Sequence, residues 1–198
     1  MERLATSGEN GLYPSSWSAD GERLVFVEER LDGNDDIELL ESRSGRVTSF
    51  LNSKYNERYP AISPDGRWIA YTSDETKREE VYVRPFPGPG GRWQVSGDSG
   101  IQPLWSKNGK QLFYRKQDQV WAVDVQTDSG FSISNRRMLF ARPDYELGGP
   151  IRSYDLSLDG QRFLVVKKEQ RKPTPVTEMI LVQNWFEELK RLVPAGKK

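Results

Sequence analysis

A ten-residue pattern recurs four times along this chain and constrains its fold more than any other feature. Each copy runs apolar residue, Ser, any residue, Asp or Asn, Gly, two mostly polar residues, then three mostly apolar ones. The copies are Trp17-Ser18-Ala19-Asp20-Gly21 followed by residues 22–26, and Ile62-Ser63-Pro64-Asp65-Gly66 followed by 67–71. Then come Trp105-Ser106-Lys107-Asn108-Gly109 followed by 110–114, and Leu156-Ser157-Leu158-Asp159-Gly160 followed by 161–165. Successive glycines are 45, 43 and 51 residues apart. A near-constant spacing in this range belongs to solenoids, propellers and arrays.

The chemistry inside each copy is that of a hairpin. Asp-Gly and Asn-Gly are expected to supply the positive φ angles of a tight turn between antiparallel strands. Pro64 suits the second position of such a turn because its φ is already set. The Ser or Asp side chain can accept a backbone N–H and hold the turn. The residues after each glycine are largely β-branched, aromatic or leucine and read as a strand. Upstream, Pro60 and Pro103 lie six residues before their glycines and Pro14 seven before; Tyr154 stands at that place in the fourth copy.

Further strands follow each hairpin. Third strands are expected at 37–40, 81–84, 120–123 and 179–182, and fourth strands at 46–50, 93–96 and 137–140. The last repeat has no fourth strand after its third, whereas residues 3–6 offer one just before the first hairpin. The chain is therefore expected to be permuted by one strand, its opening residues pairing into the last sheet and covering an open edge. Four-stranded units of this length are the blades of a β-propeller. The expected fold class is all-β: a propeller of four four-stranded blades, as a partial or small ring, in a single domain over 1–198. The blades fall at about 7–50, 59–97, 102–141 and 151–183, with the N-terminal strand at 2–6.

The Trp-Ser-x-Asp-Gly turn followed by an apolar strand, and third strands such as Val81-Tyr82-Val83-Arg84, resemble the repeats of TolB-type (WD-repeat-like) propellers. The second copy matches best, with Tyr59-Pro60-Ala61-Ile62-Ser63-Pro64-Asp65-Gly66 and Ile69-Ala70-Tyr71-Thr72-Ser73-Asp74. The tail, Asn184-Trp185-Phe186-Glu187-Glu188-Leu189-Lys190-Arg191-Leu192-Val193-Pro194, resembles the C-terminal end of bacterial propellers fused to serine/threonine kinases. No kinase motif is present, so kinase activity does not carry over. Physically, Trp185, Leu189 and Leu192 make one apolar stripe of a short helix over 185–193. Asn184 caps it, with Glu187 in capping-box position, and Pro194 ends it. TolB-type rings more often have six or more blades. Three arrangements stay open: part of a longer ring, a closed four-bladed ring, or a homodimer completing a larger ring.

Composition narrows the function. Lys+Arg and Asp+Glu number 29 each, so the net charge is zero, which argues against nucleic acid and anionic membrane as partners. With no Cys and no His, Ser-His-Asp and Cys-His catalysis, disulfides, thiolate or imidazole metal sites and His-ligated haem are excluded. No apolar run approaches the ~18 residues of a membrane span. The N-terminus, Met1-Glu2-Arg3-Leu4-Ala5, lacks a signal-peptide core. The chain as written is expected in the cytoplasm; a TolB-like or kinase-linked parent would place it in the periplasm or outside.

Asp32-Gly33-Asn34-Asp35-Asp36 spaces oxygen ligands as calcium loops do. Glu41, however, falls at the tenth position and not the twelfth, so a polar turn is expected and no metal site. Pro85-Phe86-Pro87-Gly88-Pro89-Gly90-Gly91 reads as a stiff connector. Carboxylates such as Glu57, Asp74, Asp98 and Asp144 are the remaining acid–base candidates, yet no spacing singles out a pair. No catalytic residue and no cofactor are therefore assigned. Links between fourth and first strands and between second and third strands gather at one end of a propeller. Tyr and Arg are frequent binding anchors, which makes Tyr55, Arg58, Tyr145 and Arg152 the candidates for a binding surface. The expected function is a non-catalytic recognition scaffold for a protein, peptide or small ligand, a sensor or docking module of a bacterial signalling protein. The competing class is a carboxylate glycosidase or sugar binder.

Overall fold

The computed structural model describes residues 8–128, 130–144 and 149–167. All four copies of the repeated pattern close in the same way. The glycine N–H donates to the serine carbonyl (Gly21 to Ser18, Gly66 to Ser63, Gly109 to Ser106, Gly160 to Ser157) at 2.8–2.9 Å. Each serine hydroxyl donates to the Asp or Asn side chain two residues on. The same hydroxyl accepts the backbone N–H five residues on. The glycines sit at φ of 70–71°. Only glycine takes the left-handed conformation in these turns. The Asp or Asn before it contributes a side-chain acceptor instead of a positive φ, which corrects the expectation that the dipeptide supplies both.

These turns join antiparallel strands into sheets. The first sheet comprises β1 (Gly11–Trp17), β2 (Arg23–Glu29), β3 (Asp35–Glu41) and β4 (Arg46–Leu51) in that order. The second comprises β5 (Glu57–Ile62), β6 (Trp68–Ser73), β7 (Glu80–Pro85) and β8 (Trp93–Gln94). The third comprises β9 (Ile101–Trp105), β10 (Gln111–Lys116), β11 (Gln119–Gln126) and β12 (Ser132–Ala141). A fourth has, among the described residues, the two strands β13 (Tyr154–Leu156) and β14 (Phe163–Val165), joined as a hairpin. The expected strands at 3–6 and 179–182 and the helix at 185–193 lie outside the described residues. The strand expected at 93–96 is only two residues long. Val95 still donates its N–H to the Val81 carbonyl at 2.7 Å, but the Val81 N–H goes to the Ser96 hydroxyl, which in turn donates to the buried Glu80 carboxylate, so regular pairing stops there.

Period-two alternation gives each middle strand two apolar faces. On β6, Ile69 and Tyr71 pack with Val25, Ile37 and Leu39 of the first sheet. Trp68 and Ala70 face the opposite way, onto Leu112, Tyr114 and Val123 of the third. On β10, Phe113 turns to Tyr154 and Phe163 of the fourth sheet. Consecutive sheets thus stack through apolar layers in chain order. This is the all-β architecture of a partial propeller. Every residue of β6 is buried, whereas β4 and β12 are largely exposed. The layer between the second and third sheets also holds a buried polar tie: the Trp105 indole N–H donates to the Ala61 carbonyl at 3.0 Å.

The upstream prolines have a structural consequence. Proline cannot donate to a ladder, and the pairing of each first strand is interrupted where it stands. Register shifts fall at Pro14/Ser16 on β1 and between Arg58 and Ala61 on β5, and β9 slips against Phe113/Arg115 of β10. The residues before the second and third prolines, Tyr59 and Gln102, take φ of 54° and 57°. Such bulges re-aim side chains, and here they affect the strands on which the candidate site is built. No helix among the described residues is long and apolar enough to cross a membrane.

Candidate functional site

The first strands of successive sheets converge on a cavity of about 380 Å³. Tyr13, Glu29 and Asp35 line it from the first sheet, and Arg58, Tyr59 and Glu79 from β5 and the β6–β7 link. Ile101 opens β9, and Gly149 and Pro150 precede β13. It lies where β2 ends and where β3, β5 and β9 begin, at the end of the sheets that the link argument singled out.

Its walls are tied together by hydrogen bonds between sheets. Tyr59, buried and held at positive φ by the bulge, donates its hydroxyl to the Gly149 carbonyl at 2.8 Å. The equivalent Gln102 is fully buried. Its backbone N–H donates to the Thr72 hydroxyl at 3.2 Å, and its side-chain oxygen accepts the Ser153 hydroxyl at 2.9 Å. The Tyr154 hydroxyl returns a bond to the Gln102 carbonyl at 2.8 Å, and buried Arg115 donates to Ser153 at 2.8 Å. Second, third and fourth sheets are thereby locked around the cavity. Left-handed conformations at non-glycine residues cost of order 1–3 kcal/mol and persist where the surroundings over-determine them. These networks supply that determination.

The electrostatics are acidic, with three lining carboxylates (Glu29, Asp35, Glu79) against one guanidinium. Arg58 Nε is bonded to Asp35, and its NH1 stands 3.9 Å from Glu79. Burial alone would lower the Arg58 pKa, but the Asp35 carboxylate outweighs it and the value is raised. Tyr13 donates to Glu29 at 2.7 Å, which holds its phenol above the ordinary range. Tyr59 is raised by burial and then by Glu79. Both hydroxyls are therefore neutral donors at neutral pH. Asp35 is 5% exposed at its side chain, and its Oδ1 has no hydrogen-bond partner.

Of the three candidate residues among those described, Arg58 alone lines this cavity. Tyr55 is half-buried on the link between the first two sheets, under the Lys54 ammonium at 5.2 Å. Arg152 ties sheets together instead, donating to the Tyr154 carbonyl at 3.1 Å and the Pro103 carbonyl at 3.4 Å. Tyr145 lies outside the described residues. Tyr13, Glu29, Asp35, Tyr59 and Glu79 escape a reading of link composition because most sit on strands. The signal for Tyr59 is its place before Pro60, at the bulge.

The other acidic groups have local partners. In the 32–36 turn Asp36 pairs with Arg30 at 2.6 Å, and the Asn34 side chain donates to the Ser53 carbonyl at 2.9 Å. Among the described residues no group of three or more acidic side chains is arranged to hold a metal ion. Asp98 pairs with Lys116 and Asp144 with Lys167. Asp74 accepts from both the backbone and the side chain of Asn56. Glu57 is buried at the start of β5 and accepts the Ser53 hydroxyl at 2.6 Å, while its Oε2 lacks a hydrogen-bond partner. Burial pushes its pKa up to about 7, with Asp36 and Asp74 adding to the rise.

No protein-family model matches the chain. A TolB of Acinetobacter baumannii is similar in structure, with a TM-score of 0.65 and 20% identity over 85% of this chain and 40% of that one. Among curated proteins, a TolB homolog of Chlorobaculum tepidum is 34% identical over 64 residues, 32% of this chain and 14% of that protein. Dipeptidyl-peptidase 5 of Porphyromonas gingivalis is 24% identical over 170 residues, 70% of this chain and 25% of that protein. The chain thus spans a quarter or less of the length of these two curated relatives. The described sheets have a TolB-type, β-propeller-like fold.

Proposed function

We propose that this chain is a non-catalytic recognition scaffold that binds a protein or peptide segment at the cavity between its first strands. The observation that carries this reading is the convergence of side chains from successive sheets on one concavity of about 380 Å³. That size lies near the lower end of the ~300–1,000 Å³ found for small-ligand sites. It admits one inserted side chain with its flanking backbone. The bulges at Tyr59 and Gln102 and the cross-sheet hydrogen bonds support a pre-formed site, whose binding does not have to order the walls. In this reading the setting is a sensor or docking module of a bacterial signalling protein, supported by the resemblance of the 184–194 tail to kinase-linked propellers.

The test is a capped-peptide array probed with the full chain and with Ile101→Trp, which fills the cavity from its wall. Bound peptides are expected to be released by Ile101→Trp in a variant that retains its far-ultraviolet spectrum. Peptides that bind equally well to both chains would place recognition elsewhere and overturn the reading. So would hydrolysis of an oligosaccharide that is lost on Glu57→Gln or Asp74→Asn, because that outcome belongs to a carboxylate glycosidase.

A further inference from the structure

The lining of the cavity has an imbalance of donors and acceptors that specifies the charge of what enters it. Both tyrosine hydroxyls already donate, Tyr13 to Glu29 and Tyr59 to the Gly149 carbonyl. Arg58 directs Nε at Asp35 and NH1 toward Glu79. The acceptors are in excess. Glu79 is 44% exposed at its side chain and meets Arg58 only at 3.9 Å. Asp35, on the same wall and nearly buried, retains an oxygen without a hydrogen-bond partner. A buried acceptor left over costs free energy until a donor arrives, and three carboxylates against one guanidinium leave the lining net negative. An acidic or apolar occupant would leave the negative lining uncompensated, whereas a donor-rich cation pairs with the exposed Glu79 carboxylate and offsets the charge of the wall.

Resting on the scaffold reading, we propose that the cavity seats a basic side chain of a peptide or protein partner, an alkylammonium or guanidinium group countered by Glu29, Asp35 and Glu79. Arg58 is then the internal cation that pairs with Asp35 and holds the wall in place while the site is empty. Recognition works through charge as well as shape, so affinity falls with salt.

The experiment is titration calorimetry of the full chain with N-acetylated, C-amidated Ala-Arg-Ala, Ala-Lys-Ala, Ala-norleucine-Ala and Ala-Glu-Ala. The capped termini restrict the positive charge to the side chain. The Arg and Lys peptides are expected to bind at least roughly tenfold tighter than the norleucine peptide, and to weaken between about 50 and about 300 mM salt. Glu79→Gln, at an exposed position and with an unchanged melting temperature, is expected to weaken the basic peptides by roughly tenfold and to leave the norleucine peptide unaffected. Equal or tighter binding of the norleucine or glutamate peptide, with release by Ile101→Trp, would overturn the charge inference and leave the scaffold reading standing. Absence of any binding sensitive to Ile101→Trp would overturn both.

Discussion

Glu57 is expected to make the stability of this protein fall as pH rises through the neutral range. Its carboxyl is 4% exposed, faces Asp36 and Asp74, and is pushed up to about 7 chiefly by burial. In the unfolded chain it returns to the ordinary value of 4.5. Between these values the folded state holds a proton that the unfolded state has released. The slope of unfolding free energy with pH is then negative, and stability falls until both states are ionised above about 7. At about 1.4 kcal/mol per pKa unit, the full loss is at most about 3.5 kcal/mol, of which up to about 3 kcal/mol falls between pH 5 and pH 8. At roughly 2–4 °C per kcal/mol for a unit of this size, the melting temperature drops by about 6–12 °C between pH 5 and pH 8. Glu57→Gln retains an acceptor for the Ser53 hydroxyl but cannot ionise. The assay is circular-dichroism melting of both proteins at half-unit pH intervals. Asp36 and Glu38, also raised by burial, act in the same sense, so the variant keeps a residual slope. At pH 8 the variant should be the more stable protein, with the difference vanishing toward pH 4.5. A wild-type melting temperature flat from pH 5 to 8, or equal slopes in the two proteins, would refute the reasoning.

The repeated turns and layers give further expectations. Ser63→Ala removes a buried hydroxyl that serves Asp65 and the Trp68 N–H, and urea melts should show a loss of about 1–3 kcal/mol. Ser157→Ala, at the more exposed fourth turn, should cost less than half as much. Trp105→Phe leaves the Ala61 carbonyl without its indole donor and should cost about 1–3 kcal/mol by the same assay. Trp17→Phe, at the matching place in the first repeat but 50% exposed, should stay within about 0.5 kcal/mol. Gly66→Ala forces a side chain into φ of +71° and should cost about 1–2 kcal/mol, although nothing lies within 4 Å of the new methyl.

The repeat was legible because its chemistry is local. Ser63, Asp65 and Gly66 make their turn bonds to one another and to Trp68, so a ten-residue window holds the whole argument. The strand at 93–96 was over-read because its shortening depends on Glu80, sixteen residues from Ser96 and on another strand. Arg58 could be named from residue type and link position. Its partner Asp35 could not, since that residue reads equally well as part of a polar turn until β3 is laid against β5. Tyr55 and Arg152 passed the same test of type and position, yet sheet packing sends one under Lys54 and the other to backbone carbonyls.

From the amino acids alone come the hairpins, their spacing and hence sheets repeating in series along the chain. Turn hydrogen bonds and period-two alternation act over a few residues and leave little choice. The tertiary structure decided that the bulges before Pro60 and Pro103 hold Tyr59 and Gln102 in the left-handed conformation, and that Tyr13, Glu29, Asp35 and Glu79 share one cavity with Arg58. Those residues come from separate repeats. Their meeting depends on how far each sheet is turned on the next, which the summed packing of whole layers determines and no local window contains.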